Sequence, residues 1–444
     1  MRPQVLLINP WIYDFAAFDL WARPLGLLYL AAWLKKAGCD VRLVDCLDRL
    51  HPRSGAPPRR RIWPRGTGKW ARQPVPTPGA LSGLPRRYCR YGLPLQVFRE
   101  DLAGGPRPDL VLVTCGMTYW YPGAKLAIAQ AREVWPEATV ILGGVYPTLC
   151  PDHARKNSGA DMVVSGPAEK FLPRLGEMLG LDLGGPAGAW FPSHGVWPAL
   201  DLYPRLEYAP LMTSRGCPYN CPYCASNRLF QGFMARDPED VLAEIADRRH
   251  RLGLVDFAFF DDALLLYAPN LLAPVLEEVI RRGYDLRFHA PNGLHVGAIT
   301  PELARLMAAA GFESIRLGLE SLDQQRQATL GGKVETGGFE AAVGNLISAG
   351  FRPDKIGVYV LFGLPGQPLE EVLGTIRTVK ALGTRPYLTE YSPLPGTRLW
   401  SQAVRSSPFD LENEPLYHNN TNFPCRGPDF SWEKVWEIKR QAVK

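Results

Sequence analysis

The sequence predicts an α/β chain in two parts. A doubly wound (Rossmann-like) parallel sheet occupies residues 1–180, and a partial (β/α)6 barrel of the TIM type occupies residues 206–400. Two observations carry the prediction. Short apolar runs alternate with helical stretches, the pattern of parallel strands joined by crossover helices. The alternation then restarts after a linker at residues 181–205 rich in Gly and Pro, and its second run counts six βα units. A chain of 444 residues is in any case too long for one ordinary core.

In the first part, strands are expected at residues 5–8, 41–44, 110–114, 140–142 and 162–164. Helices are expected at 25–37, closed by Gly38 as a C-cap, at 123–134 and at 169–179. A stretch rich in Pro and Arg, about residues 48–90, interrupts the rhythm and reads as a loop insertion. Between His51 and Arg72 it holds Arg53, Arg59, Arg60, Arg61, Arg65, Lys69 and Arg72 with no acid. Such a run is either a contact for nucleic acid or an acidic substrate, or a solvated basic insertion. In the second part, strands are expected at 208–213, 255–260, 285–290, 314–318, 356–361 and 386–391, with helices such as 238–252 and 301–310. The tail, 401–444, holds Trp432 and Trp436 one helical turn apart, spaced to dock on the barrel.

Bulk properties narrow the class. Hydrophobic residues make up 46% of the chain, as in ordinary globular proteins, and the net charge of +6 is mild for this length. Nine cysteines, an odd number scattered along a long chain, do not read as a disulfide framework, and a reducing cytoplasm fits them. The first ten residues look like a buried strand and not a secretion signal. The most apolar run, residues 24–34, is well short of the roughly 20 residues that span a bilayer, so no membrane span is expected.

Three of the cysteines crowd into residues 215–225, Arg-Gly-Cys-Pro-Tyr-Asn-Cys-Pro-Tyr-Cys-Ala. Cys217, Cys221 and Cys224 are spaced C-x3-C-x2-C, one ligand short of a closed structural zinc site. His194 and His250 are the nearest histidines, and both lie outside the loop. Extended chain covers at most about 3.3–3.6 Å per residue, so the three sulfurs can converge on one small object. Three thiolates suit an iron–sulfur cluster with one iron open to an exogenous ligand. A redox pair at Cys221 and Cys224, or a zinc completed from afar, are the plainer readings.

This loop, with Tyr223 before its last cysteine, resembles the signature of the radical S-adenosylmethionine (SAM) enzymes. The resemblance implies a 4Fe–4S cluster on Cys217, Cys221 and Cys224, with SAM on the fourth iron. One electron would then cut a carbon–sulfur bond of SAM to yield a 5′-deoxyadenosyl radical. It also implies the SAM contacts. Tyr223, Asp261 and Asp262 come first; either acid could instead cap a helix. Glu320 and Ser321, closing the fourth strand, would face the methionine and ribose ends, with a salt bridge from Arg316 as the structural alternative for Glu320. Gly363, in Phe-Gly-Leu-Pro-Gly, and Pro393, in Tyr-Ser-Pro-Leu-Pro-Gly-Thr, would help cradle adenine. His289, Asn292 and His295, at the end of the third strand, are candidate catalytic groups.

The first part resembles the cobalamin-binding-like domain of one branch of that family. The residues concerned are Asn9-Pro10, residues 24–31, Gly143-Gly144 and residues 166–169. Ligands of such sheets lie beyond the carboxyl ends of the strands, which makes Asn9, Trp11, Thr118, Tyr119, Gly144 and Tyr146 the candidate cobalamin residues. The motif D-x-H-x-x-G is missing, since Asp152 and His153 are adjacent. Cobalamin held without a protein ligand to cobalt and a fold kept only for packing both stay open. Of the other cysteines, Cys39, Cys46, Cys115 and Cys150 read as small buried residues, and Cys89 and Cys425 as thiols in polar surroundings. The expected activity is reductive cleavage of SAM to modify an unactivated carbon, with cobalamin-dependent methyl transfer as one outcome. An RNA-modifying methylthiotransferase is the alternative enzyme, and a non-catalytic metal- or nucleic-acid-binding protein the alternative of another class. The expected partners are a small-molecule or biosynthetic-intermediate substrate and a one-electron donor such as flavodoxin or ferredoxin, not nucleic acid.

Overall fold

The computed structural model describes residues 2–57, 64–183, 195–230, 232–334, 337–427 and 430–443. Arg59, Arg60, Arg61, His194 and much of the expected linker lie outside the described residues. The chain divides into two compact units, Met1–Glu207 with Asn413–His418, and Tyr208–Glu412 with Asn419–Lys444.

The first unit contains, in chain order, β1 (Gln4–Asn9), β2 (Ile12–Asp14), α1 (Leu25–Lys36), β3 (Asp40–Asp45), β4 (Arg72–Pro74), β5 (Cys89–Tyr91), β6 (Leu110–Cys115), α2 (Tyr121–Val134), β7 (Thr139–Gly144), β8 (Met162–Val163) and α3 (Leu172–Leu179). The main sheet runs β8-β7-β6-β1-β3, with every pair parallel. Its inner strands β1 and β6 are near-continuous apolar runs because both faces are covered. Leu6 and Ile8 join Val111 and Val113 in the core on one side, while Val5 and Leu7 join Leu110 and Leu112 on the other. The strand order turns at β1, which pairs with both β3 and β6, so the crevice for a ligand opens beyond Asn9 and Cys115.

The basic insertion is not wholly loop, a correction to the sequence reading. β4 and β5 pair antiparallel and join β2 in a three-stranded sheet. Arg-Gln-Pro and Cys-Arg-Tyr have no alternation to betray a strand; backbone pairing makes this one. Arg53 of the basic run ion-pairs with Glu100 and with Asp101, so acids from another segment meet a cation that has none beside it in sequence.

His153 in this unit gives a pH-dependent stability. Its Nδ1 lies 2.7 Å from the Tyr146 hydroxyl. Burial lowers its pKa, Glu414 opposes that and Lys125 adds to it. The folded state therefore binds fewer protons than the unfolded one around pH 6, and stability falls as pH drops below about 6.5. Chemical unfolding at pH 5.5 and 7.5 is expected to show that loss in the wild type, and a smaller loss in His153→Gln.

The second unit contains β9 (Ala209–Leu211), α4 (Pro238–Leu252), β10 (Asp256–Phe259), β11 (Arg287–His289), α5 (Pro301–Ala309), β12 (Phe312–Glu320), β13 (Ile356–Phe362), β14 (Arg385–Glu390) and α6 (Trp432–Val443). Its six main strands run in sequence order, all parallel, with Leu294–His295 pairing to β12 as an added short strand. α4 is written plainly in sequence. Asp237 caps it by accepting from the Glu239 amide, Pro238 opens it, Glu239 and Asp240 sit at its positive end, and Gly253 closes it in the left-handed region. Phe259, Phe288 and Phe312 fill the sheet's inner side, with ring centroids 5.4–5.7 Å apart.

The tail docks through one member of the tryptophan pair, Trp432, which meets Phe423 edge-on at 6.0 Å while Phe423 packs on Phe362 of β13. α6 buries Val435, Ile438 and Ala442, and Lys439 reaches Glu390 at 2.5 Å, while Trp436 is 47% exposed. Cys89 and Cys425 are also buried, and Ser406 meets the Cys425 thiol. No helix of the described residues is long and apolar enough to cross a membrane.

Candidate cluster site and its surroundings

The cysteine loop leaves β9 at the carboxyl end of the first barrel strand. Ser214–Arg215 pairs antiparallel with Met234–Ala235, closing the base of the loop. Gly216 has φ +78, and a Cβ there would stand 2.1 Å from the Gly232 carbonyl, so only glycine fits this crossing. Asp261, just past β10, fixes the exit of β9. Its wholly buried carboxylate accepts from the amides and hydroxyls of both Thr213 and Ser214 at 2.6–3.1 Å. Burial raises its pKa and these donors pull it back.

Asp262 turns to the loop itself, accepting from the Ser226 hydroxyl at 2.7 Å. Packing around its carboxyl raises its pKa, though the residue as a whole is exposed and Ser226 opposes the shift. Neither acid caps a helix, because the next one begins at Leu272. The adjacent pair thus splits its work: Asp261 anchors backbone, Asp262 meets the cysteine loop.

All nine cysteines are free thiols; in the loop Cys217 and Cys221 are buried and Cys224 is exposed. Burial raises the Cys217 and Cys224 thiols, while Lys333 and a backbone amide hold each down. The Ser226 amide points at the Cys224 sulfur at 3.4 Å. Among the described residues no three His, Cys, Asp or Glu side chains gather closely enough to share one metal ion. Thiolates of a cubane cluster bind different irons and need not converge so tightly. Three unbridged thiols on one loop, with a cation and an amide donor at the sulfurs, therefore fit a 4Fe–4S cluster.

Glu320 ends β12 with φ +63, beside a register shift in the β12–β13 pairing. That conformation is strained for a non-glycine residue and points to a site constraint. The Tyr223 hydroxyl donates to its carboxylate at 2.9 Å, tying the cysteine loop to the fourth strand. Arg316 is not the partner, since its guanidinium lies over Tyr387, 4.2 Å from the ring centroid. Lys333 completes the group. Its ammonium lies 5.9 Å from the ring centroids of both Tyr219 and Tyr223. Burial alone would lower its pKa, but Glu320 and the Cys221 and Cys217 thiols outweigh burial and raise it. Sequence reasoning missed Lys333. Its only signal is the preceding pair of glycines, of which Gly331, at φ +113, brings backbone to the Cys221 sulfur.

The other candidates scatter. His295 stacks on Tyr219 of the loop at 4.8 Å, and burial followed by Lys333 keeps its pKa low. Asn292 donates to the Asp261 carbonyl at 2.9 Å. His289 is wholly buried between Asp256 and Ser314, each 3.1 Å away, which gives it a structural role in place of the catalytic one. Ser321 is 1% exposed and donates to Glu371 at 2.9 Å, so its hydroxyl is not free for a ribose. Gly363 packs against Phe423, which would stand 3.0 Å from a Cβ there, and Pro393 is buried.

At the carboxyl end of the first unit's sheet the expected side chains are mostly spent on the interior. Asn9 donates to Asp45 at 2.7 Å, Trp11 to the Leu93 carbonyl at 2.6 Å, Thr118 lies 3.0 Å from His418 Nδ1, and Tyr119 and Tyr146 are buried. What stays open is backbone. Gly116 and Gly144 are exposed, and a Cβ at Gly143 or Gly166 would meet open space. Such bare strand ends fit a flat ligand approached by backbone, without a histidine reaching out to it.

Comparison with known proteins agrees with both units. A radical SAM superfamily model matches residues 211–379, and a B12 binding domain model matches residues 99–176. An uncharacterised methyltransferase of Pyrococcus horikoshii, PH0819, is 25% identical over 68% of this chain and 70% of its own. Cytidylyl-2-hydroxyethylphosphonate methyltransferase of Streptomyces wedmorensis is 22% identical over 93% of this chain and 84% of its own. In fold, the chain resembles the radical SAM methyltransferase TsrM of Kitasatospora setae, solved with cobalamin and a 4Fe–4S cluster. The TM-score is 0.65, the identity 18%, and the match covers 92% of this chain and 76% of that one.

Proposed function

We propose that this member of the radical SAM superfamily, whose chain also carries a B12-binding domain, methylates an unactivated carbon of a small molecule or biosynthetic intermediate. The observation that carries the reading is three unbridged thiols beside a carboxylate and an ammonium, Glu320 and Lys333, on one barrel mouth. When bound, the cluster supplies the electron that breaks a carbon–sulfur bond of SAM, and cobalamin supplies a carrier for the methyl group. Cys217, Cys221 and Cys224 would hold the cluster. Glu320, fixed by Tyr223, would receive the ammonium of the SAM methionine end, and Lys333 its carboxylate. The names of the two methyltransferase relatives support methyl transfer as the outcome.

The methylthiotransferase alternative needs a second cysteine triad. The cysteines ahead of the barrel, Cys39, Cys46, Cys89, Cys115 and Cys150, form no evident triad like that of Cys217, Cys221 and Cys224. An oxygen-labile cluster also favours the reducing cytoplasm as its compartment.

Anaerobic reconstitution with iron, sulfide, a reductant and SAM, with and without hydroxocobalamin, tests the proposal. Release of 5′-deoxyadenosine and a corrin absorbance that survives gel filtration are the expected results; neither appearing would overturn it. Glu320→Gln and Lys333→Met are each expected to weaken SAM binding about tenfold or more while leaving the iron content unchanged, as befits a lost charged hydrogen bond. Equilibrium dialysis of labelled SAM against each reconstituted variant reads this directly.

A further inference from the structure

Two long stretches of the second unit, residues 208–236 and 391–409, contain no Asp or Glu. They are far apart in sequence but packed together around the outside of the cysteine loop. The Leu399 amide donates to the Pro222 carbonyl at 2.8 Å. Arg398 donates to the Asn220 carbonyl at 3.3 Å, and Arg228 to the Gly396 carbonyl at 2.7 Å. Arg228 and Arg398 are exposed, as is Arg405 one helical turn beyond Gln402. Both bonded arginines spend donors on neutral carbonyls, which leaves their charge uncompensated. Cys224, the one exposed cysteine of the loop, lies four residues before Arg228. Two carboxylates of the described residues that reach the loop are already held, Asp262 by the Ser226 hydroxyl and Glu320 by the Tyr223 hydroxyl.

We propose that this basic face around Cys224 is where an acidic one-electron carrier protein docks to reduce the cluster. The inference rests on the cluster reading above. The step is a bare electron transfer: one electron leaves the carrier's reduced flavin or iron–sulfur group and enters the cluster, and no atom or proton moves. The face combines what such a transfer needs. Cys224 is the loop cysteine nearest this face in sequence, four residues before Arg228, and fixed positive charge around it steers an anionic partner without a deep groove.

The test compares two reductants on the full reconstituted chain, following the bleaching of cluster absorbance by stopped flow. One is a reduced acidic flavodoxin; the other is photoreduced 5-deazaflavin, small and needing no docking. The variants are Arg405→Glu, which leaves the loop's hydrogen bonds in place, and Arg398→Gln with Arg405→Glu. At low ionic strength the double variant is expected to slow reduction by flavodoxin about tenfold. Added salt should slow the wild type and narrow that gap, because the charges are solvent-exposed. Reduction by deazaflavin should not change. Equal flavodoxin rates in wild type and variants would overturn docking alone, and so would an equal slowing with deazaflavin. A single-stranded RNA that binds the wild type and is released by the same variants would overturn it in favour of nucleic acid. A wild type that deazaflavin cannot bleach would overturn the cluster reading as well.

Discussion

Cys221→Ala is expected to leave a folded protein with no brown colour after anaerobic reconstitution and with 5′-deoxyadenosine release at background. Cys217→Ala and Cys224→Ala should do the same. Each thiol has its own iron to hold, so two cannot substitute for three. The loss should be one of chemistry and not of folding. Cys221 lies in a turn closed by the Cys224 amide and its own carbonyl, and an alanine there keeps that bond. Far-UV circular dichroism and the thermal midpoint of the iron-free protein should therefore match the wild type. A variant that kept both chromophore and SAM cleavage would contradict the assignment of the triad.

Asp261→Ala should show the reverse pattern, a large loss of stability before any question of turnover arises. The carboxylate is 2% exposed and takes four donor groups from Thr213 and Ser214. Truncation strands two buried backbone amides, at about 1–3 kcal/mol each, while the hydroxyls can turn to other acceptors. In a unit of this size each kcal/mol moves the midpoint about 2–4 °C, so a fall of roughly 4–24 °C is expected by calorimetry. Asp262→Ala, losing a single bond from Ser226, should stay within a few degrees. Equal midpoints for the two variants would refute the division of labour between the acids.

The architecture was largely legible because strands such as β1, β6 and β13 are apolar runs and its helices carry local punctuation. β1 and β6 read directly as buried parallel strands, and the helix expected at 238–252 is α4 at both its ends. The three-stranded sheet of the insertion was invisible, since its strands are polar and joined only by backbone pairing. Within the site, the cysteine spacing and Glu320 could be read from local sequence. Lys333 could not, because a lone lysine after two glycines gains meaning only when the fold brings it to Tyr219 and Tyr223. Ser321 shows the opposite failure: motif likeness pointed to SAM, whereas Glu371, fifty residues on, claims its hydroxyl. The cobalamin candidates divide: Gly144 stays exposed at its strand end, whereas the aromatic ones turn inward. Aromatic residues at strand ends can wall a ligand or plug a core, and Trp11 and Tyr146 do the second.

The open corner of the cluster is the claim on which the rest stands, and electron paramagnetic resonance of the reduced wild-type protein reads it most directly. SAM added to the dithionite-reduced, reconstituted chain is predicted to change the spectrum of the cluster, because the ligand enters the coordination of one iron. The change should weaken in Lys333→Met at equal SAM. A spectrum indifferent to saturating SAM, or a chain that takes up zinc and shows no cluster signal at all, would contradict the account.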